Sequence, residues 1–114
     1  MLPKKHRLPL RTDLVYVQEK GKIFQGRLFS LLVVSQPHKS QASRFGFIIS
    51  TKIHKRAVKR NHARRLLIEA IRPFLSEIKP GLDVVFLAKK AIIGKQLIEV
   101  KKEVGKLFKK SKLR

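Results

Sequence analysis

Between Lys52 and Arg72 stand eight Lys or Arg residues, two His and a single acid, Glu69. The chemistry open to such a set is the charge-assisted hydrogen bond to anionic oxygen. Arg presents a rigid planar fork of donors suited to phosphate oxygens and to stacking on bases. Asn61, set among the cations, adds a neutral donor and acceptor able to read a ribose hydroxyl or a base edge. On a helix, Arg56, Arg60 and Arg64 line up at i, i+4 and i+8, with Asn61 and Arg65 in the neighbouring row. A solvated polar face is the alternative, and energetics speak against it. Like charges at i and i+4 cost roughly a few tenths of a kcal/mol per pair, and only Glu69, four residues after Arg65, relieves them. The cations also crowd the N-terminal half of the helix, where the macrodipole disfavours them. A row that costs stability implies a ligand that neutralises it. RNA is favoured over duplex DNA, because a helix-turn-helix needs a partner helix just before this one and strand-like segments stand there instead.

No second chemistry competes. The acids Asp13, Glu19, Glu69, Glu77, Asp83, Glu99 and Glu103 are scattered singly, which is not the clustering a two-metal nuclease needs. His6, His38, His54 and His62 lack an acidic partner at useful spacing. Cysteine is absent, which removes disulfides, thiolate catalysis and zinc knuckles and fits a reducing cytoplasm. The expectation is therefore no catalytic residue and no metal site in this chain.

The rest of the chain must position that helix. Its 114 residues are one domain's length, and 43% hydrophobic residues in periodic blocks are enough for one core. A count of 28 Lys and Arg against 7 Asp and Glu leaves a net charge of +21, so an anionic partner is demanded. No segment is apolar enough to span a bilayer, and the basic start lacks the apolar stretch of a secretion signal. The expectation is a soluble, cytoplasmic protein.

Residues 1–11, with Pro3 and Pro9 among basic side chains, read as an extended arm. A two-turn helix follows over about Asp13 to Lys20, capped by Thr12 or Asp13 and ended by Gly21 in a left-handed cap. Lys22 to Gln25 suits a short strand. Arg27 to Ser35 and "RFGFIIS" read as two further strands, paired as an antiparallel hairpin. Then the period changes: Ala63, Leu66, Leu67, Ala70, Ile71 and Phe74 form one face of a helix that ends near Pro73. "LDVVFLAKK" reads as a central strand buried on both faces. Leu97, Val100, Val104, Leu107 and Phe108 mark a last amphipathic helix, weakened by Gly105, before a frayed basic tail at 109–114. The order α-β-β-β-α-β-α implies an α+β, single-domain two-layer sandwich. Phe24, Phe29, Phe45 and Phe47 suit either the core or a stacking platform, and the core is the preferred assignment for each.

"STKIHKRAVKRNHARRLLIEAIRPF" resembles the signature of the bacterial ribonuclease P protein family. That signature runs Lys-Lys, a basic stretch, Ala-Val or Ala-His, then Arg-Asn-Arg, a basic pair, Leu and an acid or amide. Lys52, Arg56, Ala57, Arg60, Asn61, Arg64, Arg65, Leu66 and Glu69 match it. The resemblance extends over "HRLPLRTDLVYVQEKGK", "RFGFIIS" and "GLDVVFLAKKA", nearly the whole chain. It implies a fold like domain 2 of ribosomal protein S5, with an unusual left-handed β-α-β crossover.

The resemblance also implies a division of labour. A large catalytic RNA with bound Mg2+ removes the 5′ leader of precursor tRNA, and the protein assists without breaking bonds and without a cofactor of its own. Arg56, Lys59, Arg60, Asn61, His62, Arg64 and Arg65 would contact the RNA subunit. Leu14, Gln18, Ser30, Leu32 and Lys52 would line a cleft for the leader between the sheet and the first helix. The protein would be a monomer alone, joining its RNA one-to-one or in a dimeric holoenzyme. A small basic ribosomal protein binding ribosomal RNA is the alternative that charge and size leave open. Two departures stand out. His62 occupies a position where Arg is usual, and a free imidazole is mostly uncharged at neutral pH. Leu14 and Gln18 occupy first-helix positions where aromatics are usual, and stacking on an aromatic contributes roughly 1–3 kcal/mol per base in single-strand binders.

Overall fold

The computed structural model describes residues 2–9, 17–36 and 42–111. Residues 17–20 are helical (α1), and the expected helix start, its caps Thr12 and Asp13, and Leu14 lie outside the described residues. The chain then forms β1 (Lys22–Gln25), β2 (Phe29–Ser35), β3 (Arg44–Ile48), α2 (Ala57–Ile71), β4 (Leu82–Ala88) and α3 (Leu97–Lys110). The α+β order expected from periodicity is thus the order observed.

The sheet is four-stranded in the order β1-β2-β4-β3. This corrects one expectation: β2 and β3 form no hairpin, because β4 lies between them. β4 pairs antiparallel with β2 and parallel with β3. Its run of apolar side chains, buried from Asp83 to Phe86, suits a strand with a neighbour on each side and a layer on each face. The tight hairpin is instead β1–β2, with Gln25 opposite Ser30.

Register sorts the side chains onto two faces. Phe29, Leu31, Phe45, Val84 and Phe86 face α2 and α3, meeting Ala63, Leu67, Ala70, Ile71, Val100, Val104, Leu107 and Phe108 in the main core. Phe24 and Phe47 pack against the same cluster, so all four phenylalanines read as core residues serve there. Burying Leu67 and Ile71 contributes about 1.5–3 kcal/mol each, which fixes α2 on the sheet. The other face carries Leu32, Val34 and Val85, covered by Val17 of α1 and by Leu8.

The first residues are less free than an extended arm. Lys4–His6 make a 3-10 turn, Leu2 and Leu8 are buried, and Arg7 bridges in parallel to Phe45 on the outer edge of β3. Gly21 ends α1 as expected, with its N–H bonded to Val17 O at 2.8 Å. Its role differs from the one expected, since the positive-φ glycines are Gly81 and Gly94. A Cβ at Gly21 would collide with Val17 O and lie 2.7 Å from Leu32 Cδ1, so the need is for close approach of helix and sheet. α2 gives way to a 3-10 turn, Arg72–Phe74, that contains Pro73. At the other terminus Lys109 and Lys110 belong to α3, with Ser111 as its C-cap, where fraying was expected from residue 109.

Candidate nucleic-acid interface

α2 divides its residues by period. Ala63, Leu67, Ala70 and Ile71 are buried, while Lys59, Asn61, His62, Arg64 and Arg65 are exposed. Good helix formers, Ala, Leu, Arg and Lys, fill both faces, so the segment is helical by propensity as well as by packing. Asn61, Arg64, Arg65 and Ile68 line one shallow depression. The helix therefore leaves five of the seven residues assigned to this surface exposed, and brings Asn61, Arg64 and Arg65 together around that depression.

The other two behave differently. Arg56 is the extended N-cap residue and stands before the helix, so it is exposed but outside the i, i+4 row. Arg60 is half-buried, and its Nη1 donates to the carbonyls of His54 and Lys55, each at 2.8 Å. It folds back onto the entry turn because an arginine in the first turn of a helix can reach the carbonyls just before it. Glu69 also departs from expectation: it pairs with Arg72 at 3.1 Å, three residues on. With this pair at the far end of α2, it leaves the charge density at the helix start unrelieved.

The residues assigned to a leader cleft lie elsewhere. Ser30 and Leu32 point to the α1 face of the sheet but are buried, Leu32 against Val17. Gln18 is exposed on α1, and Lys52 is exposed in the turn after β3. Leu14 lies outside the described residues. On the same face, register aligns Gln25, Ser30, Leu87 and Ile48 across the four strands. Sequence reasoning missed two members of this row's polar end, Gln25 and Lys89. Gln25 Oε1 accepts from Ser30 Oγ at 2.7 Å and from Lys89 Nζ at 3.0 Å, and Lys89 also donates to Gly26 O at 2.6 Å. The available signal was position: Lys89 is the first polar residue past the apolar run of β4.

A second group of cations, Lys4, Lys5, Arg7 and Arg44, lines a cavity with Leu8, Pro9 and Ala42. It lies at the start of β3, whereas Lys52 and the start of α2 follow its end. Among the described residues no group of three His, Cys, Asp or Glu side chains is placed to hold a metal ion. Among them, too, no helix is long and apolar enough to cross a membrane.

These features define a class: a small, strongly basic α+β protein in which one helix packed on a four-stranded sheet carries exposed Lys59, Arg64 and Arg65 on its solvent side. The model of the ribonuclease P family matches residues 2–112. A ribonuclease P protein component from Synechococcus sp. (strain JA-2-3B'a(2-13)) is 34% identical over 99% of this chain and 86% of its own length. Another, from Clostridium acetobutylicum, is 32% identical over 96% of this chain and 92% of its own. Among solved structures, the RNase P protein of Thermotoga maritima superposes with a TM-score of 0.80 at 26% identity, covering 92% of this chain and 96% of its own. An RNase P protein mutant from Staphylococcus aureus shares the fold with a TM-score of 0.86 over 97% of this chain and 92% of its own, at 22% identity. The chain belongs to the ribonuclease P protein family.

Proposed function

We propose that the chain is the RNA-binding protein subunit of ribonuclease P and assists a catalytic RNA in removing the 5′ leader of precursor tRNA. The observation that carries this reading is in α2: a buried stripe anchors it to the sheet while Lys59, Asn61, His62, Arg64 and Arg65 are exposed, with Asn61, Arg64 and Arg65 around one depression. Fixed cations on a rigid element suit the phosphate backbone of a folded RNA, because docking releases counterions without first ordering the protein.

Bond cleavage belongs to the RNA with its Mg2+ in this reading, and the protein supplies binding. The leader runs over the α1 face of the sheet. Gln18, Gln25, Lys52 and Lys89 offer it polar contacts, while buried Ser30 and Leu32 shape the floor. Precursor tRNA and the RNA subunit are thus the partners, in the cytoplasm, with one protein per RNA in the simplest assembly. The family match leaves the ribosomal-protein alternative without support.

Reconstitution tests the proposal. The purified protein alone leaves precursor tRNA intact, and added to a bacterial ribonuclease P RNA at low Mg2+ it restores cleavage. Absence of rescue overturns the reading.

A further inference from the structure

The start of α2 lacks the devices that usually hold a helix N-terminus. Its N-cap, Arg56, makes no side-chain cap bond, and the first turn contains no acid. Cations crowd it instead. What holds it is a clasp around residue 54. His54 Nδ1 accepts the Arg56 N–H at 3.0 Å. The His54 carbonyl accepts from Arg60 Nη1 at 2.8 Å, and the same Nη1 reaches Lys55 O at 2.8 Å. Arg56 O in turn accepts from Lys59 N at 3.1 Å and Arg60 N at 3.2 Å. His54 therefore enters the network twice, through its ring and through its carbonyl.

We infer that His54 is a positioning residue, whose neutral imidazole holds the entry turn that carries exposed Arg56 and fixes the start of the docking helix. The inference rests on the reading of α2 as an RNA-docking helix. An imidazole nitrogen accepts a hydrogen bond only when it carries no proton, so Nδ1 is bare and the proton sits on Nε2. The ring thus contributes an acceptor, and no further charge, to a turn that already holds Lys52, Lys55, Arg56 and Lys59. The clasp lies at the surface, with His54 half-buried and Arg56 exposed, so it adds little to the stability of the whole fold. Its effect falls on binding: cations held in direction beforehand need not be ordered when the RNA arrives.

Asparagine separates this role from others, because its Oδ1 stands where Nδ1 stands in histidine and accepts the same N–H, whereas alanine offers nothing. The experiment compares wild type, His54→Ala and His54→Asn for affinity to a bacterial ribonuclease P RNA transcript across a salt series, with thermal melts of each chain. His54→Ala binds about 3- to 10-fold more weakly, the loss expected for one hydrogen bond. His54→Asn binds within about twofold of wild type, and the slope of affinity against salt is the same in all three, since no phosphate-binding cation is removed. The melts coincide. Equal affinity of His54→Ala and wild type overturns the inference. So does an equal loss in both variants or a shallower salt slope, which would place the ring on the RNA itself. A His54→Ala chain without a cooperative melt overturns it in favour of a folding role. Failure of the wild-type chain to bind overturns the docking reading itself, an outcome distinct from all of these.

Discussion

Arg44 and Asp83 are register partners across the parallel pair β3–β4, and they are joined by two hydrogen bonds, Nε to Oδ1 at 3.0 Å and Nη2 to Oδ2 at 2.8 Å. The carboxylate side is 1% exposed and the guanidinium side 23%. Gln36 Nε2 also lies 3.0 Å from Asp83 Oδ1, tying the end of β2 to the same group. Burial makes the pair costly to break from one side, since the remaining charge keeps its desolvation and loses its partner. Arg44→Ala is expected to lower unfolding stability by about 3–5 kcal/mol, and Arg44→Met with Asp83→Leu to recover much of that. Urea denaturation of the single and double variants measures both. A double variant no better than the single would show that the pair stabilises in its own right.

The same pair shows what the sequence conceals. Strand content, the helix stripe and the cation face were legible because each is written in local period and composition. Strand neighbours are not local. "RFGFIIS" follows Arg27 to Ser35 and suits a hairpin with it, yet β3 pairs with β4, which lies beyond α2 in sequence. One clue existed: "LDVVFLA" reads as a strand buried on both faces, and such a strand needs partners on both edges. Asp83, buried inside that run, was a second clue, because an acid there requires a cation from a neighbouring strand. Within the site, Asn61, Arg64 and Arg65 could be placed from helical spacing alone. The back-folding of Arg60 and the burial of Ser30 could not, since both depend on the turn at 54–55 and on the hairpin register.

Gly21 gives a sharper test of the packing between α1 and the sheet. The nearest atom a Cβ would meet is the Val17 backbone carbonyl oxygen, which cannot move without unwinding the helix end. Gly21→Ala is expected to cost about 1–3 kcal/mol by overpacking. Because α1 borders the proposed leader path, the variant should also weaken binding of precursor tRNA more than binding of mature tRNA. A melt unchanged from wild type would show that helix and sheet stand farther apart.

Arg64 and Arg65 are exposed, whereas Arg60 is engaged with the entry turn, so the three arginines are not equivalent. Arg64→Ala and Arg65→Ala should each lower the salt slope of RNA binding by about one, the counterion that a single phosphate–arginine pairing releases, while the melting curve stays put. Arg60→Ala should weaken binding and also fray the start of α2, seen as faster amide exchange there. Three variants with the same slope and the same exchange would show that the geometry of Arg60 carries no separate role.

His62 is the departure from the family's Arg-Asn-Arg pattern, and its side chain stands exposed on α2 one residue after Asn61. Arginine at this place would bring a permanent charge and a bidentate fork to the same surface. His62→Arg is therefore expected to steepen the salt slope by about one and to tighten RNA binding at low salt, with the advantage shrinking as salt rises. The fold should be indifferent, because position 62 faces away from Ala63 and Leu67, which carry the packing. If instead His62→Arg left the slope unchanged, position 62 would lie outside the RNA footprint, and the docking surface would be confined to Asn61, Arg64 and Arg65 with the turn before them.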